Sequence, residues 1–352
     1  MTNEVRRVLV ARLDSDGDVL LAGPAVRAVA SSADEVILLV GADGRAAGEL
    51  LPGVHRLLCW DCPWIVNPPP PVRPSRIAEL VDRVRELAPD AAIVLTSYHQ
   101  SPLPLALLLR LAGVSRITAA SVDYPGSLLD VRLRPGTDQL PEDLPEPERA
   151  LAIAAAAGFP APPGDDGRLA LRPVPEPPPA LVGADRYVVL HPGARVPARR
   201  WPARRCRQAA QALAEAGYRV VVTGSPGEAR LTRAVAGGPA DGRTVDLGGQ
   251  TSLAELASVL VGADAVVVGN SAPAHLAAAV GTPVVSLFAP VVPAARWAPY
   301  QVPHVLLGDQ DAGCKDTRAR TCPIPGHPCL RSVTAGDVVA AVRALVGAKV
   351  PA

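Results

Sequence analysis

Short, solidly apolar runs alternate along this chain with longer segments in which apolar residues return every three or four positions. In the first half the runs are "RVLVARL" (7–13), "EVILLV" (35–40), "HRLLCW" (55–60) and "AAIVLTS" (91–97). Between them lie "DVLLAGPAVRAVASS" (18–32) and "SRIAELVDRVRELA" (75–88), whose spacing predicts amphipathic helices. The second half repeats the pattern with "RYVVLHPG", "RVVVTGS", "TVDLGG", "AVVVGNS" and "PVVSLFAP". Strands without polar alternation, interleaved with helices, predict α/β architecture with parallel sheets covered on both faces.

One segment interrupts the alternation. "RLALRPVPEPPPALVG" (168–183) carries too many prolines for a helix or central strand and reads as a stiff linker. The chain therefore divides into two doubly wound, Rossmann-like units, 1–175 and 176–333. A last helix, "TAGDVVAAVRALVGA" (334–348), is expected to pack back near the first unit. "NPPPPVRPS" (67–75) reads as a loop inside the first unit. Ligands of open parallel sheets collect at the C-terminal ends of the strands, so two facing sheets are expected to place a site in the cleft.

Composition narrows the classes. The 352 residues suffice for two domains, and 49% hydrophobic content with 3% aromatic residues means a core of Ala, Val and Leu. A net charge of +1 argues against a general nucleic-acid binder. The N-terminal apolar run is too short for a signal peptide, and "LPLALLLRLAG" (103–113) is interrupted by Arg110. Six cysteines in a chain of this length do not make a disulfide scaffold. A cytoplasmic monomer is expected, with at most a peripheral contact to the inner face of the membrane.

Four stretches carry candidate chemistry. "RLDSDGDVLL" sets Asp14, Asp16 and Asp18 at a strand-to-helix turn, with Asp18 opening the helix. A carboxylate there caps the helix and suits its dipole; three acids exceed what a cap needs, and one projecting outward could act as a general base. "LHPGARVPARRWPARR" places Arg195, Arg199 and Arg200 after a strand and before a helix, an anion-binding arrangement. Arg204, Arg205 and Arg207 run on into that helix and fit a plain basic face. In "TGSPGE", Glu228 at a helix start could accept two ribose hydroxyls or serve the helix dipole. In "VVVGNSAPAH", Ser271 and Ala272 begin a helix whose first N–H groups lack internal partners. Small side chains there admit a phosphate, Pro273 is tolerated in the first turn, and His275 could donate to the same anion.

Together, "VLVARLDSDGDVLLAGPAVRAV", "LHPGA…RRWP", "TGSPGE" and "GNSAPAHLAAAVGTPVVSLFAP" resemble glycosyltransferase family 9, the heptosyltransferases of lipopolysaccharide-core assembly and their relatives. The resemblance runs through nearly the whole chain and is strongest in the first thirty residues and from Tyr187 to Trp297. It implies a GT-B fold and inverting transfer of a heptose or related sugar from a nucleoside-diphosphate donor, commonly ADP-heptose, to a hydroxyl of a glycan or glycoconjugate. No metal and no other cofactor is implied. The family's acceptor-activating aspartate matches Asp18, and its basic residue before Trp-Pro matches Arg199. The family's ribose-binding glutamate matches Glu228 and its phosphate-binding helix start matches Asn270, Ser271, Ala272 and His275; Ala194, Arg195 and Arg199, from the loop after the strand, complete the candidate donor set. At the phosphate-binding helix start two positions depart from the family: Asn270 stands where an aspartate is usual, and Ala272 where a glycine is. Arg199 replaces the usual lysine, a planar fork for a point charge.

The acceptor should be met by the first unit, with Asp16, Tyr98, His99 and Tyr124 as candidates at strand ends. Cys314, Cys322, His327 and Cys329 lack the spacing of common zinc sites, and Cys59 and Cys62 lack a second pair. Cys206, on a helix, reads as structural. A nicotinamide oxidoreductase would share the sheet architecture, but no G-x-G-x-x-G follows a strand; "GADGRAAGE" (41–49) is the nearest and follows the second. A catalytically degenerate sugar-nucleotide binder of the same fold is the alternative that Asn270 keeps open.

Overall fold

The computed structural model describes residues 6–97, 99–177, 186–237 and 242–347. The chain divides into two compact units, Met1–Arg172 and Pro173–Ala352. Tyr98 and residues 178–183 of the linker lie outside the described residues.

The first unit holds six parallel strands: β1 (Arg7–Arg12), β2 (Glu35–Val40), β3 (Arg56–Cys59), β4 (Ala91–Leu95), β5 (Arg116–Ala120) and β6 (Val131–Leu133). Their order is β3-β2-β1-β4-β5-β6. The second unit repeats the scheme with β7 (Tyr187–His191), β8 (Arg219–Val222), β9 (Thr244–Asp246), β10 (Ala265–Gly269), β11 (Val284–Leu287) and β12 (His304–Leu307). Its order, β12-β11-β10-β7-β8-β9, is the same when strands are counted within the unit. Each is a doubly wound Rossmann-type sheet whose strand order reverses beside its first strand, between β1 and β4 and between β7 and β10.

Burial explains the apolar runs. Val8, Leu9 and Val10 of β1 and Val266, Val267 and Val268 of β10 expose nothing to solvent, as expected for central strands covered on both faces. The sequence pattern misses β5, β6 and β12. The last two are half-wetted edge strands of only four residues or fewer, while β5, "RITAA", is buried with Thr and Ala in place of large side chains.

The helix expected over 18–32 is two, α1 (Asp16–Leu21) and α2 (Gly23–Ala30). The chain turns at Ala22, where Gly23 and Pro24 start the second helix and Pro24 supplies no N–H to the first. α1 begins two residues before Asp18, with Ser15 at its N-cap, so Asp18 lies inside the first turn rather than opening the helix. The first unit also contains α3 (Arg45–Leu50), α4 (Pro74–Leu87), α5 (Leu103–Leu111) and α6 (Glu146–Ala156).

In the second unit α7 (Ala203–Glu215), α8 (Ala229–Ala236), α9 (Leu253–Val261) and α10 (Ala272–Ala279) follow successive strands, with short α11 (Ala294–Trp297) and α12 (Pro328–Arg331) after β11 and β12. The last helix, α13 (Ala335–Gly347), corrects one expectation. Its apolar face, Val338, Ala341, Val342, Leu345 and Val346, is buried in the core of the second unit with Cys206, Ala210 and Leu213 of α7. The apolar stripe of a helix docks where complementary apolar surface is offered, and α7 offers it. No helix among the described residues is long and apolar enough to cross a membrane.

Leu9, fully buried at the centre of the first sheet, tests this core. Leu9→Ala is expected to lower stability by about 2–5 kcal/mol. Urea unfolding followed by circular dichroism should show the transition of the first unit moving to lower denaturant; an unchanged midpoint would contradict the packing.

Candidate active site

In each unit most of the described residues singled out from sequence lie at the carboxyl ends of the strands near the point of reversal, where doubly wound sheets bind ligands, whereas Tyr124 follows β5, one strand further out.

In the first unit β1 ends in Arg12, whose side chain is 4% exposed. Its guanidinium lies 3.0 Å from Asp14 Oδ2, 3.0 Å from Asp18 Oδ1 and 3.5 Å from Glu146 Oε2 of α6. It also donates to Ser97 Oγ beyond β4, at 3.1 Å. The approach of Arg12 Nε to Asp14 is an ion pair rather than an aligned hydrogen bond. Ser15 Oγ donates to Asp18 Oδ2 (3.0 Å), and Gln100 Nε2 to Asp14 Oδ1 (2.6 Å).

These contacts separate the three aspartates. Asp18 faces Arg12 and Ser15 with 22% of its side chain still wetted. Asp14 is buried; loss of solvent, with some repulsion from Asp18 and Glu146, outweighs Arg12 and Gln100 and pushes its carboxyl up to about 6. Asp16 turns away and accepts from the backbone N–H of Ala47 in α3 (3.0 Å), which gives it a helix-anchoring contact. His99 and Tyr124 are exposed in the loops after β4 and β5, Tyr124 at 86%.

In the second unit β7 ends at His191, buried, with Nδ1 3.0 Å from Thr223 Oγ1. Burial holds its imidazole below the usual value, against an opposing pull from Glu228. Glu228 accepts from the N–H and hydroxyl of Ser225 (2.9 and 2.8 Å) at a 3₁₀ turn before α8. Its carboxylate lies against Gly193: a Cβ there would fall 2.1 Å from Glu228 Oε1, so only glycine admits this placement.

The loop after β7 leads to a 3₁₀ turn, Pro197–Arg199. Arg199 Nη1 approaches the Asn270 carbonyl at 3.5 Å, and the Arg199 carbonyl packs on Gly269, where a Cβ would sit at 3.0 Å. Ala194 is buried and accepts from Arg200 Nε (2.5 Å), while Arg195 is exposed. The turn is braced from below: Ala198 N–H donates to the Arg320 carbonyl (2.9 Å), His327 Nε2 lies 3.0 Å from the Ala198 carbonyl, and Trp201 Nε1 donates to Leu330 (3.0 Å).

Facing Arg199 is the start of α10. Ser271 is its N-cap, yet no side chain caps the helix; the hydroxyl turns to the Gly269 carbonyl at 3.3 Å. Asn270 is buried, and its Nδ2 has no hydrogen-bond partner. His275 is buried one turn on. Small residues, an uncapped helix start, a guanidinium and a buried amide donor form an arrangement suited to an anion.

The cysteines do not build a site. Cys314 and Cys329 are buried in the second core, and burial beside the other thiols pushes Cys329 up to about 12. Cys62 and Cys206 are likewise buried and pushed up to about 12, inert as nucleophiles. Among the described residues no three His, Cys, Asp or Glu side chains are grouped to hold a metal ion.

Sequence reasoning passed over Arg12, Ser97, Gln100, Glu146 and His191. Arg12 alone left a signal: a charge at the end of an otherwise apolar strand, two and six residues before acids.

The sequence profile of Glycosyltransferase family 9 (heptosyltransferase) matches residues 129–327, more than half of the chain. A Lipopolysaccharide heptosyltransferase 3 of Escherichia coli is 32% identical over 165 residues, 46% of this chain and 47% of that protein. The chain matches about half or less of the length of the curated relatives. Among solved structures, a family 9 glycosyl transferase from Veillonella parvula superposes with a TM-score of 0.76 at 18% identity, covering 99% of both chains. The E. coli heptosyltransferase WaaC with ADP-2-deoxy-2-fluoro heptose gives a TM-score of 0.67 at 20% identity over 94% of this chain and 97% of that one. At such identities these two likenesses show the fold.

Asp14 yields a prediction independent of any ligand. A carboxyl raised in the fold from 3.8 to about 6 contributes stability fully below the lower value and loses it as pH climbs through the higher. Asp14→Asn, neutral throughout, should match wild type near pH 4 and exceed it by roughly 1–3 kcal/mol above about pH 7. Thermal melts across that range check this; a pH-independent difference would overturn it.

Proposed function

We infer the activity from one premise: the chain belongs to glycosyltransferase family 9, the heptosyltransferases. The chain transfers a heptose, or a closely related sugar, from a nucleoside-diphosphate donor to a hydroxyl of a glycan or glycoconjugate acceptor. ADP-heptose is the donor of choice, because a solved heptosyltransferase of the same fold holds a fluorinated ADP-heptose.

The observation that carries this reading is the pairing of Arg199 with the uncapped start of α10. A departing diphosphate brings negative charge, and donors preorganised at the end of a strand stabilise it at low cost of reorganisation. Ser271, Ala272 and His275 border the phosphates, Arg199 neutralises them, and Ala194 and Arg195 belong to the same loop. Glu228, held by Ser225 against Gly193, receives the ribose hydroxyls. The first unit supplies the acceptor side: Asp18 as base, with His99 and Tyr124 in neighbouring loops as acceptor contacts.

The bonds balance in a single displacement. Asp18 takes the proton of the acceptor hydroxyl, and its oxygen bonds to the anomeric carbon from the face opposite the phosphate. The carbon–phosphate oxygen bond breaks, its electron pair leaves with the nucleoside diphosphate, and the anomeric centre inverts. Arg199 and the helix start supply the positive counterpart that a divalent ion supplies elsewhere, so transfer proceeds without a metal.

Titration calorimetry with ADP and a transfer assay with ADP-heptose test the proposal. Asp18→Asn should bind ADP as wild type does and lose about 10²–10⁴-fold in kcat. ADP binding without turnover by wild type on any acceptor would favour the degenerate binder, and no ADP binding would overturn the reading. Transfer should persist in excess EDTA; its abolition and recovery with a divalent ion would refute the metal-free step. Gly193→Ala, by displacing the Glu228 carboxylate, should weaken ADP by about 10-fold, the scale of one lost charge-assisted hydrogen bond.

A further inference from the structure

The first unit contains a buried charge cluster larger than a general base requires. One guanidinium faces three carboxylates brought in by different elements: Asp14 and Asp18 from the segment after β1, and Glu146 from α6. Two of the carboxylates are almost dry, Asp14 at 9% and Glu146 at 3% side-chain exposure, whereas Asp18 keeps 22%. The neutral partners are Ser97 and Gln100 from the loop after β4 and Ser15 at the start of α1.

Charge accounting shows what the cluster does. Arg12 offsets one of three possible negative charges, and an unbalanced buried charge is strongly unfavourable. Asp14, whose carboxyl burial makes hard to ionise, relieves part of the imbalance by taking up a proton as pH falls through about 6. Arg12 then faces two charged carboxylates, Asp18 and Glu146, in place of three. Asp18 has one oxygen on Arg12 Nη2 and the other on Ser15 Oγ, both at 3.0 Å, so its plane is set by two contacts. Arg12 is itself fixed by Ser97 and Glu146.

We propose that Arg12 is a positioning residue for transfer, its guanidinium, anchored by Glu146 and Ser97, holding Asp18 ionised and oriented toward the acceptor hydroxyl. This rests on Asp18 being the base. The geometry explains the extra acids. When Asp18 takes the acceptor proton, the positive charge of Arg12 loses that partner. Glu146, 3.5 Å away, still balances it, so the proton transfer strands no buried cation. A guanidinium is required because its donors reach acceptors in several directions; an ammonium offers a single point. Among the charged groups facing Asp18 are Arg12 of β1, with Asp14 and Glu146 behind it.

The test is a double-mutant cycle on kcat with pH profiles. Arg12→Gln should lower kcat by about 10²-fold with the donor KM within about twofold, since the effect falls on the chemical step. Its acid limb should move upward by about one pH unit, because removing a cation raises the pKa of the carboxylate beside it. Arg12→Lys keeps the charge without the fork and should lose about 10-fold with a smaller limb shift; it carries the test if Arg12→Gln does not fold. In an Asp18→Asn background, Arg12→Lys should cost nothing further, because Arg12 acts through Asp18. Losses that multiply, or an Arg12→Lys enzyme with wild-type kcat and acid limb, would overturn the assignment while leaving Asp18 as base. Full activity of Asp18→Asn alone would instead refute the base and this inference together.

Discussion

A wholly parallel sheet has to be covered on both faces, and both sheets of this protein are wholly parallel. Each connection must therefore leave the carboxyl end of one strand, cross over and return to the amino end of the next, by way of a helix everywhere except between β5 and β6. The loops at the carboxyl ends are released from packing duty. Where the strand order reverses, neighbouring loops diverge to opposite faces and leave a crevice. Arg12, Asp18, Ser97 and Gln100 stand at that crevice in the first unit, and His191, Arg199 and Asn270 to His275 in the second. The candidate chemistry is a consequence of topology before it is a matter of particular residues.

What the residues add is a division of electrostatic labour. The first unit concentrates carboxylates around one buried guanidinium, which suits proton abstraction. The second presents a guanidinium, an uncapped helix start and a buried amide donor, which suits an anion. Asn270 sharpens the second point. An aspartate there would set a negative charge beside the helix start, whereas the amide offers a donor with no partner inside the protein. An unsatisfied buried donor costs about 1–3 kcal/mol. An acceptor atom on the ligand would recover that cost.

Much of this was legible in the order of residues. Val and Leu runs marked the central strands, and helix starts marked Ser271 and Glu228, because local sterics and capping act over a few positions. The failures have physical causes. β6 and β12 are short, half-wetted edge strands whose apolar residues are too few to stand out as a run, and β5 is packed with small side chains. α13 has an apolar stripe that would suit several partners, and nothing along the chain says that α7 receives it. Asp16 and Asp18 look equivalent in "DSDGD", yet one binds the α3 backbone and the other faces Arg12, since successive helical positions point about 100° apart.

By itself the sequence determined that there are two α/β units, that their central strands are buried on both faces, and which segments open helices after those strands. Those properties rest on periodicity and short-range contacts. The tertiary structure alone decided which acids share Arg12. Glu146 is separated from it by 134 positions and Ser97 by 85, and only the strand order brings α6 and the end of β4 beside the end of β1. That Asp14 resists ionisation is likewise a property of burial, and burial is known only once the chain has closed around it.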